Sequence, residues 1–304
     1  MTALCVVQAR MGSTRLPGKV LEPLGDHTVL GLVLARLRRS SQLDVVVATS
    51  KRSIDDAVAT EAEASGVAVV RGSETDVLER FMVALDQNPS EVVVRITADC
   101  PLVDAGVIEE ALDLLRISGA DYCSNTLLRT FPDGLDVEVM RSDVLREAAD
   151  EAVDRDEREH VTPFIYRRPS RFRLAQLTDE GRHGRERWTL DTAADLAWLR
   201  AAIGQLADPV VAPWREILEL VGLSASTSEV LAEPDLEVPI AEGRRAWQIH
   251  DGDAALGRAE LTLRDGLGFL SFDRPMPHRG VEAVRMALRA DVQVRELVVE
   301  GAET

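Results

Sequence analysis

A chain of 304 residues, 45% hydrophobic and 29% charged, is long enough to bury one large core and a second, smaller one. Its formal net charge of -17 opposes both the phosphate backbone of nucleic acids and anionic membrane surfaces, so neither is an expected partner. Any phosphate chemistry must then rest on a local basic cluster. The three cysteines, Cys5, Cys100 and Cys123, form no CxxC pair, and Cys5 and Cys123 lie in apolar strand-like runs, as buried thiols of a reducing compartment do. The sequence shows neither a basic segment leading an apolar leader nor a membrane-length apolar run, and a cytoplasmic location is the expectation.

In chain order, strands are expected at Leu4–Gln8, Asp44–Thr49, Val67–Arg71, Val92–Thr97 and Asp121–Ser124. Between them, Leu30, Val33, Leu34 and Leu37, and then Leu78, Phe81, Met82 and Leu85, repeat at helical spacing. Ser53-Ile54-Asp55-Asp56 and Asp104 offer helix starts. Strands built almost wholly of Val and Leu are buried on both faces, and their alternation with helices implies a largely parallel sheet in an α/β layered domain. Leu135–Met140 alternates as an exposed-edge strand does, and Phe172–Leu177 likewise. A short strand Trp188–Leu190, a helix Asp195–Leu206 and a last helix Pro213–Leu220 close this part. The boundaries expected are a domain over 1–222, a Gly/Ser/Pro-rich linker over 223–243 and a small α+β unit over 244–304. That unit is expected to hold strands Ala259–Leu263 and Phe269–Phe272 around a turn at Asp265-Gly266, a helix over about 279–290 and a strand Val294–Val299.

The loop after the first strand is Ala9-Arg10-Met11-Gly12-Ser13-Thr14-Arg15-Leu16-Pro17-Gly18-Lys19. In an open α/β sheet, ligands sit beyond the carboxyl ends of the strands, and this loop is a favoured place. Two glycines let backbone amides approach a ligand. Arg10 and Arg15 can fork onto phosphate oxygens and Lys19 acts as a point charge, which is the local basic cluster an acidic phosphate handler needs. Neither the GxxxxGK[ST] loop nor a GxGxxG spacing is present. A solvated basic loop is the competing reading.

Two aspartates stand at strand ends: Asp99, after Val92–Thr97, and Asp191, after Trp188–Leu190. Carboxylates share a crevice with a triphosphate only if a cation lies between them, and Mg²⁺, taking one or two carboxylates plus phosphate oxygens, is the expected bridge. Taken singly, Asp99 is equally readable as a turn residue and Asp191 as a helix N-cap, while Asp104 and Asp195 look structural.

Gln8-Ala9-Arg10-Met11-Gly12-Ser13-Thr14-Arg15-Leu16-Pro17-Gly18-Lys19 resembles the opening motif of the cytidylyltransferases that make CMP-activated sugar acids. It is most similar to the branch named for spore-coat polysaccharide biosynthesis, and more distantly to the CMP-KDO and CMP-sialic acid synthetases. The stretches Gly72–Phe81, Arg95–Asp104, Phe131–Val139, Arg158–Pro163 and Leu190–Leu196 continue the likeness in order, over roughly residues 1–222. The resemblance implies a glycosyltransferase-A-like, Rossmann-like three-layer nucleotidyltransferase domain. It also implies transfer of CMP from CTP to a small acidic acceptor, with Mg²⁺ as cofactor, pyrophosphate as product and a homodimer as the assembly. By matching positions, Arg10, Lys19, Asp99 and Asp191 would be catalytic, and Asp99 and Asp191 would hold the metal. Gln8, Ala9, Arg10, Met11, Gly12, Ser13, Arg15, Lys19, Asp76 and Thr97 would line the nucleotide pocket, and Asp136, Glu138, Glu159 and His160 would meet the acceptor. Two departures stand out: Ala193-Ala194 where the family commonly has Pro-Glu, and Thr97 where the KDO branch usually has Gln, which weakens transfer of base or sugar specificity from that branch. A lone His before Val-Thr-Pro reads more readily as a hydrogen-bonded structural residue than as a base. Residues 244–304 lie outside the resemblance; an appended unit that supports dimerisation or covers the acceptor is the sober reading. The rival functions are a glycosyltransferase using a nucleotide-sugar donor and a catalytically inactive nucleotide-binding subunit.

Overall fold

The computed structural model describes residues 2–181, 183–224, 230–234, 244–251, 254–264, 267–272 and 296–299. The chain divides into two units, Met1–Leu223 and Ser224–Thr304. In the first, β1 (Ala3–Gln8) leads through a 3₁₀ turn (Lys19–Leu21) and a small hairpin, β2 (Pro23–Leu24) and β3 (His27–Thr28), into α1 (Val29–Leu37). Next come β4 (Leu43–Ser50), α2 (Asp56–Ala64), β5 (Ala68–Gly72), α3 (Val77–Gln87), β6 (Val92–Thr97), α4 (Ala105–Ser118), β7 (Tyr122–Ser124) and β8 (Glu138–Arg141). After these stand α5 (Ser142–Glu151), α6 (Arg155–His160), α7 (Pro163–Tyr166), β9 (Leu174–Gln176), α8 (Ala193–Ile203) and α9 (Trp214–Ser224). Seven strands form one sheet in the order β5-β4-β1-β6-β8-β7-β9. Neighbours are parallel except at β8, which runs antiparallel to both β6 and β7.

The apolar run of β1 has a direct cause. Ala3, Cys5 and Val7 point into one core, shared with α1, α2, α4 and α8, while Leu4 and Val6 point into a second, shared with α3, α5 and α7. A strand covered on both faces has no position for a polar side chain until its end, and Gln8 is where β1 leaves the core. Helices on both faces of a mostly parallel sheet make the three-layer α/β architecture. Because β1 lies between β4 and β6 with Gln8 in register with Ala48 and Thr97, the chains leaving β1 and β6 emerge side by side. The Ala98 amide donates to the Gln8 carbonyl at 3.1 Å.

Two local expectations are corrected, and the expected edge strand Phe172–Leu177 is found but shortened. Leu135–Met140 is no exposed edge: β8 lies inside the sheet, and Glu138, Val139 and Met140 are buried. The polar half of its alternation is paired with arginines: Asp136, half-buried, with Arg129, and Glu138, buried, with Arg95. Trp188–Leu190 forms no strand; it crosses the carboxyl end of the sheet, held by an isolated bridge between Asp133 and Arg187 and by the Leu190 amide donating to the Asp99 carbonyl at 2.8 Å. The edge is β9, shorter than Phe172–Leu177 and parallel to β7.

In the second unit, β10 (Val230–Pro234), β11 (Arg244–Asp251), β12 (Ala254–Arg264), β13 (Leu267–Phe272) and β14 (Glu296–Val299) form a five-stranded sheet in that order, antiparallel apart from the β13–β14 pair. Val230–Pro234 falls within the stretch that composition reads as a linker, and backbone pairing with β11 makes it a strand. The expected turn at Asp265-Gly266 and the expected helix over about 279–290 lie outside the described residues.

Candidate active site

The loop after β1 is tied down by backbone bonds. The Ser13 and Gly18 amides both donate to the Met11 carbonyl, at 2.9 and 3.0 Å. Met11 donates its own amide to the buried Asp55 carboxylate at 2.7 Å, and Asp55 also accepts from the Ser50 hydroxyl. Gly18 adopts φ 76°, a left-handed conformation that costs an L side chain but not glycine, and its turn points the next residue inward. That residue is Lys19, 8% exposed. A Cβ on Gly12 would meet only the Arg10 side chain, at 4.0 Å, so the loop surface there is open.

The Lys19 ammonium donates to Asp99 Oδ2 at 2.7 Å, Asp191 Oδ1 at 2.9 Å and the Leu190 carbonyl at 2.6 Å. Three acceptors use its three donors. Burial works against the Lys19 charge, but Asp99 and Asp191 more than offset it, and its pKa lies above the ordinary value. Burial likewise opposes ionisation of Asp191, and Lys19, Arg15 and Arg187 overcome it, holding the carboxyl below its ordinary range. Arg15 and Arg187 both reach Asp191 Oδ2, at 2.9 and 2.8 Å. Thr192, not Asp191, is the N-cap of α8, in a capping box with Asp195. Asp195 also accepts the Asp191 amide at 2.9 Å, so it positions Asp191 from behind. Asp104 caps α4 and receives the Trp214 amide at 2.8 Å. Asp99 does sit in a tight turn, with the Cys100 amide donating to the Thr97 carbonyl at 3.2 Å, and its side chain still faces Lys19.

Two carboxylates, 92 positions apart by subtraction of their numbers, therefore converge on one cationic point. Among the described residues no cluster of three or more His, Cys, Asp or Glu side chains is disposed to hold a metal. The pair fits a hard cation such as Mg²⁺, which typically takes one or two protein carboxylates and completes its octahedron with phosphate and water oxygens.

The remaining candidates divide. Gln8 accepts from Arg95 Nε at 3.1 Å, and the Thr97 hydroxyl contacts Cys100 Sγ at 3.2 Å. Arg10 stands 3.8 Å from Glu159. Both Asp76 oxygens are engaged within the protein: one caps α3 through the Glu79 amide at 2.9 Å, and the other pairs with Arg158 at 2.6 Å. Asp136, Glu138 and His160 share a cavity of about 520 Å³ with Arg95, Thr97, Thr126, Leu127, Thr162 and Tyr166. Asp136 holds Arg129 through both oxygens, at 2.6 and 2.9 Å. Glu138 is buried, pairs with Arg95, and accepts from the Tyr122 hydroxyl at 2.6 Å and the Thr162 hydroxyl at 2.5 Å. Burial opposes the Arg95 charge, and Glu138 more than offsets it. Glu138→Gln therefore leaves a buried guanidinium without its counter-charge and is expected to cost about 3 kcal/mol in urea denaturation. At the rim, the Thr162 amide donates to the His160 carbonyl at 2.8 Å across Val161, which is forced to φ 72° and ψ -55°. This strained γ-turn, in a β-branched residue, sets the two flanking side chains toward the cavity.

Sequence reasoning missed Arg95, Arg129, Arg187, Tyr122 and Thr162 as parts of this network. Arg95 and Tyr122 stand in strands read only for their apolar pattern, and an ion-pair partner 43 residues away leaves no local signal. It also missed the reason for Gly134, at φ 113°: a Cβ there would lie 2.8 Å from the Trp188 carbonyl carbon. Gly134→Ala is expected to cost about 2–4 kcal/mol, measured by urea denaturation, because it strains the backbone and pushes on the segment that carries Asp191.

A family model described as cytidylyltransferase matches residues 4–197, well over half of the chain. The chain belongs to the cytidylyltransferase family. As a cytidylyltransferase it is a nucleotidyltransferase enzyme, and the Lys19, Asp99 and Asp191 cluster falls inside the matched span. The cytidylyltransferase is 40% identical over 200 residues to an uncharacterised protein of Methanocaldococcus jannaschii, covering 64% of this chain and 80% of that one. It is 35% identical over 206 residues to the spore coat polysaccharide biosynthesis protein SpsF of Bacillus subtilis, covering 65% of this chain and 85% of that one. A solved cytidylyltransferase from Leptospira borgpetersenii superposes with a TM-score of 0.71 at 32% identity, over 74% of this chain and 96% of that one.

Proposed function

We propose that this cytidylyltransferase binds CTP with Mg²⁺ and transfers CMP to a small acidic acceptor of the sugar-acid kind, releasing pyrophosphate. The observation that carries the proposal is the single Lys19 ammonium bonded to both Asp99 and Asp191 at the end of a loop that also bears Arg10 and Arg15. CTP as donor rests on family membership, and the sugar-derived acceptor on the resemblance to the spore-coat and sugar-acid branches.

Asp99 and Asp191 would hold the metal, which when bound neutralises charge on the α-phosphate and acidifies the attacking oxygen. The acceptor oxygen forms a bond to the α-phosphorus in line with the bond to pyrophosphate, which breaks with its electrons on the leaving group. Lys19, Arg10 and Arg15 supply fixed positive charge beside that leaving group, the preorganised electrostatics on which phosphoryl chemistry depends. The 520 Å³ cavity is the acceptor site in this reading. Its hydroxyls from Thr97, Thr126, Thr162 and Tyr166 suit a polyhydroxylated ligand. Its two carboxylates are each held by an arginine, so neither opposes an anionic acceptor as a free negative charge. His160 is an exposed rim residue 3.7 Å from Asp156 and is assigned contact, not proton transfer.

The test is incubation of the purified chain with each nucleoside triphosphate, Mg²⁺ and a panel of sugar acids, with detection of pyrophosphate and of the CMP conjugate by mass spectrometry. Acceptor-dependent pyrophosphate from CTP is the expected result. Release of nucleoside diphosphate from a nucleotide-sugar donor, without pyrophosphate, would instead identify a glycosyltransferase.

A further inference from the structure

The motif Gly72–Phe81 explains itself locally, apart from one residue. Ser73 Oγ accepts the Asp76 amide at 3.1 Å, Asp76 caps α3, and Glu79 reaches back to the Ser73 amide at 2.8 Å. A Cβ on Gly72 would collide first with the Glu79 carboxylate and then, at 2.8 Å, with Arg80 Cγ, so the glycine makes room for both side chains. Arg80 itself is 2% exposed, yet its Nε and Nη1 find no hydrogen-bond partner among the described residues. It lines a pocket of about 90 Å³ with Gln8, Ala9, Arg10, Val77, Glu159 and His160, at the carboxyl end of β1. Burial pushes its pKa down and the like charge of Arg10 pushes the same way, together outweighing the opposing carboxylates of Asp55, Glu79 and Asp76, none of which is hydrogen-bonded to it. Glu159 is no adequate counter-ion, being 3.8 Å from Arg10 and 3.8 Å from Arg155, with a side chain 32% exposed.

A buried cation with free donors is unfavourable in the empty protein, by the desolvation of the charge and of each unmade hydrogen bond. Two guanidiniums facing one small pocket add repulsion. Both penalties vanish when an oxyanion enters, because charged donors at fixed positions make the strongest hydrogen bonds to phosphate-like oxygens. We propose that Arg80, together with Arg10, is a phosphate-recognition residue: the pocket takes a phosphoryl group of the nucleoside triphosphate, and Arg80 orders the polyphosphate chain from the α3 side while the loop cations approach from the other. The identity of the ligand rests on the nucleotidyltransferase reading; the anion site itself does not.

The experiment uses the full chain with Arg80→Met and Arg80→Lys. Thermal melts are taken without ligand and with tripolyphosphate, and CTP, CMP and cytidine are titrated calorimetrically in Mg²⁺. The cost of burying two unmade hydrogen bonds outweighs the attraction of the Asp55, Glu79 and Asp76 charges, so Arg80→Met is expected to melt at or above the wild-type temperature without ligand. It is expected to lose the stabilisation by tripolyphosphate and to bind CTP about 10- to 100-fold more weakly, with cytidine affinity within about twofold of wild type and Arg80→Lys in between. Arg80→Met melting well below wild type while binding CTP normally would make the residue structural and overturn the proposal. So would an equal loss of cytidine affinity, which would place Arg80 against the base. Normal CTP turnover and affinity in Arg80→Met would remove the anion site and leave the enzyme reading intact. Arg80-dependent stabilisation by tripolyphosphate in a wild type that releases no pyrophosphate from any triphosphate would keep the site and remove that reading.

Discussion

Asp99→Asn is expected to lower pyrophosphate release from CTP by at least about 100-fold in saturating Mg²⁺, and Asp191→Asn by as much. The amide keeps the shape of the side chain but has no charge to offer a divalent cation. Stability is expected to change by only about 1 kcal/mol, because Asp99 is 31% exposed and Lys19 keeps both Asp191 and the Leu190 carbonyl. The two effects are therefore separable: pyrophosphate detection gives the first, urea denaturation the second. Turnover in Asp99→Asn within about threefold of wild type would remove the metal assignment from this pair.

Lys19→Ala is expected to act on both counts and to weaken the loss of stability in acid. Without the ammonium, two carboxylates face each other and the Leu190 carbonyl loses its donor. Partial exposure of the acids tempers the loss of stability to about 1–3 kcal/mol at neutral pH. In the wild type, Asp191 has a lowered pKa, so its contribution is present above the unfolded value of 3.8 and is lost as pH falls through the still lower folded value. Lys19 has a raised pKa, so its contribution is present below 10.5 and is lost as pH rises through the higher folded value. The Lys19–Asp191 pair is thus fully charged, and its contribution flat, between about pH 5 and 9. In Lys19→Ala, Asp191 keeps Arg15 and Arg187 but loses the Lys19 charge that holds its carboxyl down, so less stability is expected to be lost in acid than in the wild type. Added Mg²⁺ is expected to raise the melting temperature of the variant more than that of the wild type, since it answers the repulsion between the two carboxylates. A variant that loses as much stability in acid as the wild type, and whose melting temperature ignores Mg²⁺, would show that Lys19 does not govern these acids.

Much of the fold is legible in the residues because it depends on local period and burial. The largely apolar runs of β1, β4 and β6 suit strands covered on both faces, and the spacing of Leu30, Val33, Leu34 and Leu37 suits a helix packed against them. The exposed-edge reading of Leu135–Met140 failed for a nearby reason. Alternation shows that every second residue is polar, not whether that residue meets water or an arginine, and Asp136 and Glu138 meet Arg129 and Arg95. Helices α5 to α7 leave little periodic signal: α5 buries only Val144, Leu145 and Ala148, and α6 and α7 are six and four residues long, too short to show a helical repeat.

The order of residues alone determined which groups can handle phosphate in a chain of net charge -17: Arg10, Arg15 and Lys19 in one loop, Asp99 and Asp191 after their own segments. It also determined the layered α/β core, since side-chain period and burial are local properties. Tertiary structure decided how those groups are used. It separated Asp191, which faces Lys19, from Thr192, which caps α8; it committed Asp76 to a helix end and an arginine; and it left Arg80 buried with free donors at the end of β1. The two caps are local, but the Lys19–Asp191 and Asp76–Arg158 pairs span 172 and 82 residues, where Coulomb energy and hydrogen-bond satisfaction depend on distances in space that spacing along the chain does not carry.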